Sequence, residues 1–499
     1  MYKMNFYLAV MLWLLFISAS SLTLSAQKES YSADVEKRIK LVENNLISYI
    51  IVEGEPNHSI EERMKFYNVN GVSIAVIKDY KIDWAKGYGW ADIAEQRPVT
   101  TSTLFQAGSV SKSLNAVGVL KLAEEGKLNL YSDINNYLKS WKFPYDSLSH
   151  GKKINMANLL SHTAGLTVHG FPGYEWEDSI PNLSDILNGK RPANTPKIRS
   201  AFEPSLKYEY SGGGIEISQL IVNDITHMPY DKYMQENVLR PMGMTNSSFA
   251  QPPVEKMKNS LATGYDDDGK EIKGKYRIYP ELAAAGLWTT PADLAKYVIE
   301  IQLSLHNRSN KVLSAETTAT MLTSYVDSSK GLGVFLETRH GLSYFTHAGG
   351  TAGFTCIYWG SFEGVNGIVI MTNREANIAI INEIIHSVSS VYKWNGFFKP
   401  HIIDTTTINS YVGQYEITAT SKGTFNLIQG GLFTISKQAY QLTAKAPEQE
   451  AMPVYPASDN VFYPRLSDRD IKFIKDEKGI VTKLIVHQNG VFIECNKVR

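Results

Sequence analysis

The sequence contains little cysteine and no excess of charge of either sign, and both features reduce the range of possible functions. Cys356 and Cys495 are the only cysteines among 499 residues, which excludes a disulfide-rich scaffold. Both lie in apolar, strand-like stretches that favour buried free thiols, although a single bridge between two domains stays open. The 50 basic and 50 acidic residues give a formal net charge of zero, which argues against a nucleic-acid partner.

Sequence motifs for metal binding and for an α/β-hydrolase fold are also missing. There is no His-Glu-x-x-His or paired-cysteine motif, and the acidic run 266–269 lacks the ligand spacing of a calcium loop. No Gly-x-Ser-x-Gly elbow supports an α/β-hydrolase. We therefore expect no metal and no cofactor, and we expect a small molecule or a peptide as the binding partner.

One long apolar run occurs, at the N-terminus. Lys3 precedes apolar residues 6–17, and small residues lead to Ser25-Ala26-Gln27. This pattern predicts a signal peptide over 1–26 and export to the periplasm or beyond, with an uncleaved anchor as the alternative. No membrane span is expected after it, and the sequence leaves the oligomeric state unknown.

Residues 108–112 contain the most informative pattern, a serine followed three positions later by a lysine. Ser109 and Lys112 share a face at the start of a helical pattern that Gly126 is placed to end. A serine hydroxyl is a poor nucleophile unless a base lies beside it, and a desolvated lysine is one such base. The same spacing occurs at Ser25/Lys28, Ser149/Lys152 and Ser390/Lys393, so the spacing alone also fits an ordinary serine near a solvated lysine.

The order of elements predicts an α+β fold in which an antiparallel sheet is flanked by helices. Strand patterns at 71–77 and 81–87 form a hairpin, and two more at 354–359 and 367–372 precede a helix over 377–392. A helical lead-in is expected around 34–51. After a change of pattern near 395–405, short alternating strands predict a separate all-β module, a small barrel in form. The predicted domains are 27–398 and 405–499.

Several separated segments complete the pattern around Ser109. They lie at 105–113, 159–166, 208–214, 238–245, 283–290 and 347–350. Their residues and their order resemble the serine β-lactamase and penicillin-binding family, in particular its class C-like branch of β-lactamases, carboxylesterases and D-amino-acid peptidases. The resemblance covers about residues 60 to 395 and implies a β-lactamase/transpeptidase-like fold.

The resemblance also implies roles for individual residues. Ser109 corresponds to the acylated nucleophile and Lys112 to its partner in proton transfer. Tyr210 corresponds to the tyrosine that relays a proton to the leaving group, and whether Lys112 or Tyr210 is the base stays open. The backbone N–H groups of Ser109 and Gly350 would form the oxyanion hole.

Two departures from the family pattern bear on the substrate. Gly212 stands where relatives usually have an asparagine that contacts the acyl-amide group of the substrate. His347, followed by Ala348 and Gly349, stands where β-lactamases and carboxypeptidases have a lysine that helps recognise a carboxylate. A histidine of ordinary pKa is only about a quarter protonated at pH 7.

These departures favour an exported esterase or D-amino-acid peptidase over an efficient β-lactamase. A true class C-like β-lactamase or penicillin-binding carboxypeptidase is the alternative, and a non-catalytic envelope protein that binds a ligand is the alternative from another class. His162 is interpreted as fixing a loop. His169, Tyr174 and Trp176 either line the pocket or belong to a plain surface loop.

Overall fold

The computed structural model describes residues 31–339, 341–394, 400–420, 431–464, 470–488 and 491–498. The helices are α1 Ala33–Glu43, α2 Ile60–Phe66, α3 Ser111–Glu124, α4 Met156–Leu160, α5 Leu183–Asn188, α6 Gly212–Thr226, α7 Tyr230–Met234, α8 Leu282–Ala285, α9 Pro291–Leu305, α10 Ala315–Met321, α11 Ile378–Val391 and α12 Thr405–Tyr411. The strands before the C-terminal region are β1 Ile50–Val52, β2 Gly71–Lys78, β3 Lys81–Asp92, β4 Arg97–Pro98, β5 Phe105–Gln106, β6 Trp288–Thr289, β7 Phe335–Arg339, β8 Leu342–Thr351, β9 Phe354–Ser361, β10 Asn366–Thr372 and β11 His401–Ile403.

An antiparallel sheet of seven strands, in the order β4-β3-β2-β10-β9-β8-β7, is built from both ends of this region. Alternate side chains of each strand leave on opposite faces. Ile74 of β2 and Ile370 of β10 pack with α1, α2 and α11 on one face, whereas Ala75 and Val369 belong to the core that contains α9 and α3 on the other. Because both faces are covered, the central strands are apolar almost throughout.

Helix α3 lies inside the larger core and is buried from its first residue, Ser111, to Leu120. Gly118 is required there, because a Cβ atom would come within 2.7 Å of the sulfur of Met234 on α7. The helix ends at Glu124, and Gly126 follows with a φ of 71°, in the left-handed region that favours glycine. The core thus holds the start of α3 in a fixed place.

The C-terminal region is a closed antiparallel barrel of eight strands. Its strands are β12 Gly413–Thr420, β13 Leu432–Gln438, β14 Gln441–Lys445, β15 Met452–Pro456, β16 Val461–Pro464, β17 Asp470–Lys475, β18 Val481–Gln488 and β19 Val491–Lys497. Aromatic side chains fill the interior: Tyr411, from the end of α12, stacks on Phe473 with ring centroids 4.1 Å apart. The barrel contacts the larger region through Tyr455, whose ring meets Phe66 of α2 at 4.9 Å.

The predicted fold class is confirmed, including the hairpin, the later strands and the all-β barrel. The helical lead-in is wrong beyond Glu43: residues 50–52 form β1 instead, because they pair in parallel with β11. The signal peptide lies outside the described residues. The domain limits at 398 and 405 stay predictions, and residue 398 also lies outside the described part. No helix among the described residues is both long and apolar enough to cross a membrane.

Candidate active site

Ser109 and Lys112 meet directly at the start of α3. Ser109 lies in a single 3-10 turn, Gly108–Val110, that runs into the helix, so its hydroxyl and the lysine side chain share a face. Lys112 Nζ donates to Ser109 Oγ at 2.9 Å, and Lys112 is only 2% exposed. Another pair with the same spacing behaves differently, since Lys152 pairs with Glu203 at 3.0 Å. Packing in the core therefore holds the ammonium of Lys112 against the hydroxyl of Ser109.

The backbone of α8 provides the second hydrogen-bond partner of Lys112. Lys112 Nζ donates to the carbonyl of Ala284 at 2.7 Å. Two side chains of α6 hold this turn, because the N–H of Ala283 donates to Gln219 at 2.7 Å and the N–H of Ala284 donates to Glu216 at 3.1 Å. The helix that begins after Tyr210 thus fixes the turn that positions Lys112.

Two buried carboxyl groups, Glu216 and Glu281, lie behind this turn. Burial, followed by the charge of Glu281, raises the pKa of Glu216 well above its ordinary value. Burial likewise raises the pKa of Glu281 to about 8, and neither of its carboxyl oxygens has a hydrogen-bond partner among the described residues. Both groups are therefore held in the neutral acid form near pH 7.

Tyr210 lies at the entrance to α6 and next to Lys112. Its ring is half-buried, and the Lys112 ammonium lies 5.1 Å from the ring centroid. The ring of His162 contacts it at 4.3 Å between centroids, and Nδ1 of His162 accepts the N–H of Ser211 at 3.2 Å. Burial, followed by the charge of Lys112, lowers the pKa of His162 well below its usual value. His162 is thus a neutral ring that fixes Tyr210 and the loop, as the sequence suggested.

Strand β8 crosses the Gly108–Val110 turn at very short range. Strand β7 pairs with β8 only as far as Thr346, so the Gly108–Val110 turn meets the rest of β8. A Cβ atom on Gly349 would lie 2.0 Å from the carbonyl oxygen of Ala107, and one on Gly108 would lie 2.9 Å from the nitrogen of Gly350. Only glycines permit this approach. It places Ser109 beside β8, since a Cβ atom on Gly349 would lie 2.8 Å from the nitrogen of Ser109, and Gly350 is exposed.

His347 is buried on the opposite face of β8 from Gly350. Its ring is 1% exposed, stacks on Phe335 at 4.7 Å between centroids, and donates from Nδ1 to the carbonyl of Ala348 at 2.6 Å. Burial, followed by the charge of Lys112, lowers the pKa of His347 to about 3. The ring is therefore neutral at physiological pH. It offers Nε2 as an acceptor, which is unpartnered among the described residues, whereas a lysine would supply a charge.

Phe171 accounts for the missing asparagine at position 212. A Cβ atom on Gly212 would come within 2.9 Å of Cε2 of Phe171 and 3.2 Å of the carbonyl oxygen of His169. The ring of Phe171 thus stands next to the space that an asparagine side chain would need. The surroundings of Gly212 are therefore aromatic on this side.

The remaining pocket candidates have different positions. His169 is exposed and donates from Nδ1 to the carbonyl of Tyr210 at 2.5 Å, so it supports the site from the loop. Tyr174 is 2% exposed, and its hydroxyl accepts the N–H of Asn194 at 3.0 Å. Trp176 is exposed and donates to the carbonyl of Gly274 at 3.2 Å. Tyr174 and Trp176 therefore serve the structure of the loop in the contacts observed.

Sequence reasoning missed the residues that hold Lys112. The carbonyl of Ala284 lies in a segment that the motifs marked, but a backbone acceptor leaves no side-chain signature. Glu216 and Gln219 do leave a signal, since polar residues three apart in the mostly apolar first half of the helix share a face. Cys356 and Cys495 are buried free thiols, and no cluster of metal-ligating side chains occurs in the part of the chain that the structure describes.

A change at position 212 tests the role of Phe171. We expect Gly212→Asn to destabilise the fold by about 1–3 kcal/mol, because the new side chain displaces the ring. Phe171→Ala should remove the clash, so the double variant should be less destabilised than the sum of the single variants by about 1 kcal/mol. Urea unfolding of the three variants measures this coupling. Strictly additive losses would show that Phe171 does not limit position 212.

The buried acid Glu281 predicts a dependence of stability on pH. Its folded pKa of about 8 lies above the ordinary value of 4.5. Its contribution to stability is therefore fully present below pH 4.5 and is lost as the pH rises towards 8. We expect Glu281→Gln, which cannot ionise, to gain melting temperature relative to the unchanged chain between pH 5 and pH 8. Thermal scans at both values measure this gain, and an identical difference at both would contradict the buried neutral acid.

Comparison with known proteins identifies the family to which the chain belongs. The sequence model of the family described as Beta-lactamase matches residues 57–383. "Protein flp" of Staphylococcus aureus (strain MRSA252) is 28% identical over 236 residues, which cover 47% of this chain and 44% of that protein. A protein named Beta-lactamase from Pseudomonas fluorescens is 29% identical over 243 residues, which cover 48% of this chain and 62% of that protein.

The chain thus matches less than two thirds of the length of these curated relatives. Among solved structures, the octameric penicillin-binding protein homologue from Pyrococcus abyssi superposes with a TM-score of 0.62 at 21% identity, over 87% of this chain and 98% of that chain. This likeness shows the fold. Since the family match extends over more than half of the sequence and includes the Gly108–Val110 turn and β8, the chain belongs to the β-lactamase family.

Proposed function

We propose that the protein is an exported serine hydrolase that transfers an acyl group to water through an ester on Ser109. The observation that carries this proposal is the 2.9 Å contact between Lys112 Nζ and Ser109 Oγ in a buried setting. Export rests on the predicted signal over 1–26, and the mass of the mature protein would reveal cleavage after Ala26.

The geometry supports a specific sequence of proton transfers. Ser109 Oγ attacks the carbonyl carbon, and its proton passes to one of two unprotonated bases: Lys112 as the neutral amine, or Tyr210 as the phenolate, whose ring is next to the Lys112 ammonium. When Lys112 takes the proton, it hands it on to the leaving group through Tyr210. The backbone N–H groups of Ser109 and Gly350 bind the oxyanion that develops, a contribution of about 3 kcal/mol for each donor in other enzymes. The leaving group takes the proton from Tyr210, and water then attacks the acyl-enzyme in a reverse sequence.

The substrate we propose is an ester, an amide or a peptide, with esterase or D-amino-acid peptidase activity ahead of efficient β-lactamase activity. Neutral His347 supplies no charge to a substrate carboxylate. Phe171, beside Gly212, replaces an amide with an aromatic edge. Positions 347 and 212 therefore do not provide the contacts with a carboxylate and an acylamide that a lysine and an asparagine would provide there.

A second candidate is a true class C-like β-lactamase or a penicillin-binding carboxypeptidase. The similarity to the protein named Beta-lactamase from Pseudomonas fluorescens favours it. A non-catalytic envelope protein that binds a ligand would fit the fold, but the paired Ser109 and Lys112 argue against it.

Kinetics on a panel of substrates distinguishes these functions. Short-chain nitrophenyl esters, D-aminoacyl anilides and nitrocefin are assayed with the unchanged chain, with Ser109→Ala and with Tyr210→Phe. We expect an ester or an anilide to exceed nitrocefin in kcat/KM by more than about tenfold. Ser109→Ala should lower kcat by about 10³ or more, and Tyr210→Phe should lower it by about 10². Nitrocefin as the best substrate would favour the second candidate, and turnover that survives Ser109→Ala would contradict both.

A further inference from the structure

A second lysine, Lys330, lies at the rim of the site. Its ammonium is 4.6 Å from the ring centroid of Tyr208 and 4.7 Å from that of Phe335. Phe335 is the residue that stacks on His347, and Tyr208 precedes Tyr210 by two positions. The ammonium thus lies between the segment that presents Tyr210 and the strand that presents His347.

The segment that carries Lys330 is anchored to the catalytic helix. The hydroxyl of Ser113, the residue after Lys112, donates to the carbonyl of Gly333 at 2.8 Å. The N–H of Gly333 donates to the carbonyl of Leu160 at 2.9 Å, and the N–H of Gly331 donates to the carbonyl of Val334 at 3.0 Å. These bonds tie the residues that follow Lys330 to α3, which begins after Ser109, and to the end of α4.

The charge of Lys330 is not consumed by an ion pair. Among the described residues, Lys330 forms no ion pair within 4 Å, and its Nζ donates to Ser329 Oγ at 2.8 Å. Asp327 is the nearby acid, and its carboxylate instead accepts the N–H and the hydroxyl of Ser329 at 2.9 and 2.7 Å. The hydrogen bonds from Ser329 and, to a smaller extent, the charge of Lys330 lower the pKa of Asp327. An ammonium has three donors, so Lys330 can still bind an anion.

The aromatic surroundings strengthen such binding. A cation held over ring faces is partly screened from water, and its attraction to an anion is then larger than in bulk solvent. The charge of Lys330 also acts on the site itself: after burial and the charges of Lys112 and His347, it contributes to the lowered pKa of His162. His162 contacts both Tyr208 and Tyr210.

We infer that Lys330 is a specificity-determining residue that binds a carboxylate on the leaving-group part of the substrate. It supplies, from the turn before β7, the charge that neutral His347 does not supply. We assign Lys330 to the leaving-group side because its contacts lead towards Tyr210, which is proposed to protonate the leaving group. The ammonium of Lys330 lies over the ring of Tyr208, and the ring of His162 contacts both Tyr208 and Tyr210. The inference rests on the proposed acyl transfer and narrows its substrates to acidic esters, amides or peptides.

The test compares two esters that differ in one charge. The acetyl ester of 4-hydroxybenzoate carries a carboxylate on the leaving group, and the acetyl ester of methyl 4-hydroxybenzoate does not. With the full chain, Lys330→Met should lower kcat/KM for the acidic ester by about tenfold, mainly through KM, since one charged contact contributes on the order of 1.4 kcal/mol. The neutral ester should change by less than about twofold, and Lys330→Arg should retain most of the preference.

Lys207→Met is the matched control. Lys207 also lies over an aromatic ring, that of Phe202, at 4.7 Å, but it is paired with Glu209 at 3.4 Å. Lys207→Met should leave the ratio of kcat/KM for the two esters unchanged. Equal losses on both esters in Lys330→Met, or an unchanged ratio, would overturn the role of Lys330 while the acyl transfer by Ser109 stands.

Equilibrium binding separates this inference from the proposed function. The affinities of 4-hydroxybenzoate and its methyl ester are measured by calorimetry with the Ser109→Ala chain, with and without Lys330→Met. We expect the carboxylate to bind more tightly than its methyl ester, and this difference to disappear with Lys330→Met. If neither ester is turned over, the acyl transfer fails, and this binding difference alone decides the role of Lys330. Equal affinities in all variants would overturn it.

Discussion

The buried ammonium of Lys112 is the constraint on which the rest of the site depends. An ammonium that leaves water loses several kcal/mol of hydration, and the loss is tolerable only when partners replace the water. Here the partners are the hydroxyl of Ser109, the carbonyl of Ala284 and the ring of Tyr210. Ser109 and Tyr210 are proposed to react, and the carbonyl of Ala284 holds Lys112 in place. The contacts that accommodate the lysine in the core are therefore also the contacts that place its nitrogen against the hydroxyl of Ser109.

The groups around Lys112 are neutral, and this sets the electrostatics of the site. His162 and His347 are held uncharged by burial and by the ammonium, and Glu216 is held as the acid by burial. A nearby carboxylate would compete for the ammonium, and a second cation would repel it. The ammonium of Lys112 is thus the charge inside the site. Recognition of a charged substrate therefore depends on the rim of the site, where Lys330 lies over Tyr208 and Phe335.

The sequence predicted the parts of the site that are carried by side chains at short spacing. Three residues of helix bring Ser109 and Lys112 together, and apolar runs predicted four strands of the sheet, whereas the position of Gly350 came from the family resemblance alone. The sequence could not predict the Ala284 carbonyl, which is a backbone atom, or Lys330, which a turn brings from 218 positions after Lys112. The neutral state of His347 also depends on burial by Phe335, a contact across β7 and β8 that no local pattern encodes.

Covalent labelling of the chain tests the central claim most directly. The chain is incubated with a fluorophosphonate probe, digested, and analysed by mass spectrometry, and the rate of labelling is compared with that of Lys112→Met, a variant of similar shape without the amine. We expect one adduct, on the peptide that contains Ser109, and a labelling rate that falls by about 10² or more in the variant. An adduct on another residue, or an equal rate in both proteins, would contradict the account.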